Sequence, residues 1–237
     1  MSYFFNLVFY HPILNLLVYF YETVAARNFG FAIIFVTIVV RLILYPFFHK
    51  GARQQMLMQR IQPEVRKIQE LHKNDREKQT QALMALYKQH GVSPFSSILL
   101  LIIQIPIMLA LFYAVQAPSH GAISGLYSYI PQPGAVNTGF FGINLTAPSL
   151  VLILCAAIAQ YFQARLAIYK NPAPGAKPSQ AEKMARQMSF IGPIFTLIVF
   201  YRLPAAIGLY WFATSAFSVF QQIIVNRHFK RGETAAI

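Results

Sequence analysis

Apolar residues in this chain gather into long uninterrupted runs, and the runs approach the roughly 17 to roughly 25 residues that a helix needs to cross a bilayer. They occupy residues 29–48, 94–116, 148–169, 188–200 and 205–225. The last two are separated only by Tyr201-Arg202-Leu203-Pro204, which predicts a tight helical hairpin turning at Arg202. Residues 51–91 follow another rule: they are polar overall, with Ile61, Val65, Ile68 and Leu71 at helical spacing, then Leu83, Leu86, Tyr87 and His90 after the turn signal Lys73-Asn74-Asp75. That pattern predicts a cytoplasmic helical hairpin whose apolar stripes pair arm to arm. Pro63 is expected to start or kink its first arm. In residues 1–27, Asn15, Tyr19, Glu22 and Arg27 fall near one helical stripe, which suits an amphipathic helix in the outer interface better than a sixth span. Residues 171–179 carry Pro172, Pro174 and Pro178 and read as an irregular linker. The expected fold is thus an all-α polytopic membrane protein. It has a five-transmembrane-helix core over 28–225, the hairpin 51–91 within that core, and a short basic tail at 226–237.

Composition agrees with this pattern. Hydrophobic residues make up 56% of the 237 and charged residues 11%, against roughly a quarter charged in a soluble domain. A net charge of +13 would point to nucleic acid if it were spread over one surface. Its segregation by position argues against a sequence-specific nucleic-acid binder. Lys and Arg crowd into 50–88, into 170–186 and into the tail, while residues 117–147 contain no Lys, Arg, Asp or Glu. Because cytoplasmic loops collect Lys and Arg, the chain is expected in the plasma membrane with its N-terminus outside and its C-terminus in the cytoplasm. Arg60, Arg66, Lys67, Arg76 and Lys78 of the hairpin, with Arg227, Lys230 and Arg231 of the tail, are candidate docking residues for partners. Cys155 stands alone in an apolar run, so neither a disulfide frame nor a Cys/His metal spacing is expected. Met1 to Tyr10 has no basic n-region, and no cleavable signal is expected there.

Arg41 is the residue that demands an explanation. Within the run 29–48 it lies about eight residues, or roughly 12 Å, from the inner end. Burial of an arginine at such depth costs on the order of 3 kcal/mol on insertion scales and more in simulations of isolated helices. No span carries Asp or Glu to pair with it. Polar groups at similar depth on the other spans supply a different answer: Gln104 on the second, Gln160 and Gln163 on the third, Thr196 on the fourth. On the fifth, Trp211, Thr214, Ser218 and Gln222 recur at helical spacing. A glutamine by itself is commonly interhelical glue. Together these groups predict a water-filled groove, open to the cytoplasm and stopping short of the outer face. Such a groove shortens the passage of a polar segment, whose unsatisfied backbone groups each cost several kcal/mol in hydrocarbon. No G-x-x-x-x-G-K-[ST] loop occurs to bind a nucleotide, and no cofactor is expected.

The order of these features resembles the YidC family of membrane protein insertases, which includes the mitochondrial Oxa and chloroplast Albino proteins. Residues 30–34 leading to Arg41-Leu42-Ile43-Leu44-Tyr45-Pro46 are similar to the family's first core span with its groove arginine. Met84-Ala85-Leu86-Tyr87-Lys88 resembles the end of the hairpin, Gln104-Ile105-Pro106-Ile107 the glutamine-proline signature, and Leu203-Pro204 with Gly208-Leu209-Tyr210-Trp211 the final hairpin. Ser96-Ser97, Ala206 and Ser215 depart from the residues common at those places. The resemblance implies a short bacterial member, without the large outer domain, that inserts nascent membrane proteins. It would act alone or beside the Sec translocon, on substrates delivered by ribosomes or the signal recognition particle pathway. It also implies that Arg41 is the groove cation, that Thr37 lies one turn away on the same face, and that Trp211 contacts substrate. Two other classes compete: a small-solute channel or transporter, which needs a path to the outer face, and an intramembrane enzyme, for which no acidic residue or serine–histidine pair is in place.

Overall fold

The computed structural model describes residues 3–93, 96–120, 123–168, 183 and 186–234. The expected linker 171–179, and the edges of the expected spans at 94–95 and 169, lie outside the described residues. Helix α1 runs over Tyr3–Thr23, with a π-helical turn at Asn6–Tyr10. It is followed by α2, Phe29–Ile43; α3, Tyr45–Arg60; α4, Gln62–Leu71; and α5, Arg76–Gln89. Then come α6, Ser96–Gln116; a loop holding the two-stranded hairpin β1, Gly139–Phe140, and β2, Ile143–Asn144; α7, Leu150–Leu166; α8, Arg186–Phe200; and α9, Ala205–Thr234.

Helices α2, α6, α7, α8 and α9 form the bundle, with α9 packed along α7 and α2. Its outward side chains are apolar: Ile102, Leu154, Phe162, Phe195 and Ile198 are all exposed, Ile198 to 73%. A soluble monomer rarely shows so large a contiguous apolar surface, whereas lipid is its natural solvent. By length and composition alone, Tyr3–Thr23 and Ala205–His228 suffice to cross a membrane.

Prolines and caps set the element boundaries. Asn28 caps α2 through its side-chain oxygen. That Oδ1 accepts from the N–H groups of Gly30, at 3.0 Å, and Phe31, at 3.2 Å. Pro46 ends α2 early: it lacks an N–H and its ring clashes with the carbonyl four residues back. Leu44 therefore leaves helical geometry, and α3 departs at 70° to α2. The span expected at 29–48 is corrected accordingly: its helix stops at Ile43, and Arg41 moves from mid-helix into the last turn. Pro63 starts α4, as its place near the N-terminus of a helix allows. At the other limit α9 is helical to Thr234, so much of the expected tail continues the last span.

Two ends of the bundle can be told apart. At one, which we call the hairpin end, α4 and α5 pack as an antiparallel pair around Ile61, Val65, Leu86 and Val92. Leu71, expected in that stripe, is exposed instead. The other, the loop end, holds residues 117–149. There the carbonyls of Ala147 and Leu145 accept from the N–H groups of Ala205 (2.8 Å) and Ala206 (2.9 Å), satisfying free donors that begin α9. Phe140 seats its ring over Gly30, where any Cβ would collide with the ring. Helix α1 packs on α2 and α6, where Phe5 meets Tyr113, and bonds to the loop end: His11 pairs with the Gly125 carbonyl, and the hydroxyl of Tyr21 accepts from the Asn137 N–H. The single stripe expected for α1 does not form. Asn15 is 2% exposed and accepts from the Tyr127 N–H at 2.6 Å, Tyr19 is exposed, and Arg27 lies beyond the helix at φ +56°.

Candidate functional site: a half-open groove around Arg41

A cavity of about 470 Å³ lies in the hairpin-end half of the bundle. Helix α2 contributes Arg41, α3 Phe48 and Gln55, α6 Gln104, α7 Gln160 and Gln163, and α9 a stripe from Trp211 to Gln222. Toward the loop end the bundle is filled by Val36, Ala110, Leu111, Ala114, Leu152 and Leu209, all buried. At the hairpin end Gln55 is exposed, and the cavity is lined by Leu100 and Gln104 of α6 and by Met188 and Gly192 of α8, two helices that share a packed cluster through Met108, Phe112, Leu197 and Phe200. The cavity thus has a mouth at the hairpin end, and its floor is apolar core.

Arg41 is only 4% exposed. Its Nη2 donates to the Thr214 carbonyl at 3.0 Å and to the Ser218 hydroxyl, which in turn donates to the Thr214 carbonyl at 2.9 Å. The guanidinium lies 4.1 Å above the Phe48 ring centre and 5.7 Å from that of Phe217. Both rings are within the range of cation–π attraction. Among the described residues its Nε and Nη1 have no protein partner, and no carboxylate lies against it. A guanidinium presents five donors, so this one enters the cavity wall with hydrogen-bonding capacity left over. The break at Leu44 produces the arrangement, because turning α3 by 70° is what brings Phe48 back over Arg41.

Of the ten groove residues expected from sequence, Arg41, Gln104, Gln160, Gln163, Trp211, Thr214, Ser218 and Gln222 line the cavity. Thr37 and Thr196 do not. Thr37 is buried with its hydroxyl donating to the Ile33 carbonyl at 2.7 Å, and the Thr196 hydroxyl is held by Gln160, 2.6 Å away. Gln104 Nε2 donates to the Tyr210 hydroxyl, tying α6 to α9 at the cavity's depth. Gln222 donates to Asn226 at 2.9 Å, and Asn226 to the Leu166 carbonyl at 2.9 Å, which clamps α9 to the end of α7. Sequence reasoning missed Gln55, Ser189, Ser215 and Gln221 as lining residues. Ser215 and Gln221 are within reach by extending the α9 stripe one position to either side. Gln55 is not, because the polar pattern places it on a solvated hairpin and gives no sign of the 70° turn. Of the candidate docking residues, Arg66, Lys67, Arg76 and Lys78 lie on α4 and α5 and Arg60 just before them, while Arg227 is exposed on α9. The side chains of Lys230 and Arg231 lie outside the described residues. Among the described residues no cluster of His, Cys, Asp and Glu can hold a metal ion.

An apolar helical bundle with a polar, arginine-bearing groove in one half defines an all-α membrane protein. The match to a family model for the 60Kd inner membrane protein covers residues 19–233, and the chain belongs to that family, the YidC family its motifs resemble. It is 30% identical over 227 residues to a membrane protein insertase YidC of Rickettsia bellii, covering 91% of this chain and 38% of that one. It is 32% identical over 203 residues to a membrane protein insertase YidC of Francisella philomiragia, covering 86% and 33%. The crystal structure titled "Active YidC insertase crystal structure with the first transmembrane domain resolved" superposes with a TM-score of 0.58 at 25% identity, over 89% of this chain and 45% of that one. The chain thus spans between 33% and 38% of the length of these curated relatives.

Proposed function

We propose that this chain is a membrane protein insertase and chaperone that works without covalent chemistry. A short polar segment of a nascent membrane protein enters the groove from the cytoplasm, while the apolar helix behind it leaves sideways into lipid. The observation that carries this reading is the 4%-exposed Arg41, facing a cavity with unpartnered Nε and Nη1 and no carboxylate mate among the described residues. Those donors are shielded and uncompensated while the groove is empty, and an acidic residue of a substrate that reaches Arg41 satisfies them. The amides of Gln104 and Gln163 offer hydrogen bonds to a peptide backbone, and Phe48, Met188 and Trp211 offer apolar contact.

The same reading places the hairpin end in the cytoplasm and the charge-free loop end outside, so that the N-terminus is out and the C-terminus in. Helix α1, which packs on α2 and α6 and bonds to the loop end at Gly125, Tyr127 and Asn137, then lies in the outer interface. The basic residues of α4, α5 and α9 face the compartment where a ribosome, the signal recognition particle pathway or the Sec translocon would dock. The test is insertion of a short single-span substrate into proteoliposomes holding only this protein. Protected, correctly oriented substrate is expected, and its absence contradicts the proposal. A solute channel is disfavoured by the buried core between the cavity and the loop end.

A further inference from the structure

The β-hairpin at the loop end contains an arrangement that folding alone does not favour. Phe140 pairs with Ile143, leaving Phe141-Gly142 as a two-residue turn with φ of +48° and +78°. A turn with both central residues at positive φ favours Asn-Gly, because Asn tolerates the left-handed region and a bulky side chain does not. Here a phenylalanine occupies the strained position, and its ring is 81% exposed. The strain gains no burial in return.

The direction of that ring is held firmly. Phe140 is buried over Gly30, and the Phe141 ring packs edge-on to Phe140 at 4.7 Å and to Phe31 at 6.1 Å. Phe31 begins an exposed stripe of α2 that continues through Ile38 and Leu42 with no polar residue among them, at a spacing that keeps them on one helical face. Phe141 therefore extends the lipid-facing surface of α2 past the helix end. Exposed Tyr129 and Tyr201 lie at the same end of the bundle, in the loop and at the α8–α9 turn that the loop bonds to, and residues 117–147 carry no Lys, Arg, Asp or Glu that would resist the interface. Aromatic residues at this level are the usual anchors of membrane proteins.

We infer that the Phe141 turn is a bilayer anchor that inserts its ring at the boundary between headgroups and acyl chains beside α2, and that its partner is the lipid surface. Apolar continuity with the lipid-facing stripe favours lipid over a second copy of the chain, and the absence of charge makes the contact independent of anionic lipid. The test uses Phe141→Trp in a Trp211→Phe chain, so that position 141 holds the only tryptophan, reconstituted in phosphatidylcholine vesicles containing lipids brominated at different depths. Blue-shifted emission is expected, with quenching strongest for the shallowest bromine and weak for aqueous iodide. Red-shifted emission quenched by iodide would overturn the inference, as would lipid quenching that disappears when protein density rises, which would mean a second copy covers the turn. In a parallel arm, Phe141→Asn in the wild-type chain should leave amide exchange of residues 139–144 unchanged or slower. Faster exchange there would show Phe141 to be a structural prop for the turn.

Discussion

Arg41 owes its stability at 4% exposure to a carbonyl, a hydroxyl and two aromatic faces, none of which carries a countercharge. Its positive charge is therefore available to a third party. At an effective dielectric of about 20, reversing a charge near an acidic group changes their interaction by several kcal/mol, and about 1.4 kcal/mol is tenfold in an equilibrium. Arg41→Glu should accordingly cut insertion of substrates with acidic translocated segments by at least about tenfold, with a smaller effect on neutral segments. Arg41→Lys keeps the charge but loses the planar fork and its stacking on Phe48, and should fall between. Insertion assays on substrates matched except for segment charge check this, and equal responses from all of them would remove the electrostatic step.

At the scale of elements, the α4–α5 hairpin has its own small core, joined to the bundle through α3. Leu86→Ala should cost about 2–3 kcal/mol of local stability. Hydrogen exchange should then quicken across residues 62–89 and stay unchanged in α7; acceleration throughout would show that the hairpin is not a separate unit. Asp75 caps α5 by accepting from the Lys78 N–H at 3.0 Å, and that hydrogen bond, with the Lys78 side chain, holds its carboxyl below the usual carboxylate range. A carboxyl depressed in the folded state contributes stability above its unfolded value, and the contribution is lost as pH falls through the depressed one. The first turn of α5 should thus hold in mild acid and fray only below the usual carboxylate range, visible as loss of protection at residues 76–78, and Asp75→Ala should show the same fraying at neutral pH with no further change on acidification.

For the molecule as a whole, the proposed groove requires water on one side of a dry core. With Cys155 replaced by serine, single cysteines at Gln160 and Gln163 should react with a membrane-impermeant thiol reagent added from the hairpin side. Cysteines at Ala110 and Ala114, both fully buried, should react from neither side. Reaction at Ala110 from the loop side would open a continuous path and favour the channel reading.

Much of this was readable without coordinates, because hydrophobicity is a property of residues in series. The run lengths named the bundle helices, the stripes at Ile61-Val65 and Leu83-Leu86 named the hairpin arms, and an uncompensated arginine with polar residues on several spans named most of the polar side chains of the cavity lining. What the one-dimensional pattern did not decide is direction. Thr37 shares a helix with Arg41 yet turns its hydroxyl onto its own backbone, and Thr196 is taken up by Gln160. Phe48 and Gln55 reach the cavity only because Pro46 turns α3 through 70°, an angle that depends on how α3 then packs against α6 and α9. Hydropathy and proline positions are local and survive in the sequence; the pairing of a hydroxyl and the angle between two helices are settled by neighbours distant along the chain, and only the tertiary structure supplies those.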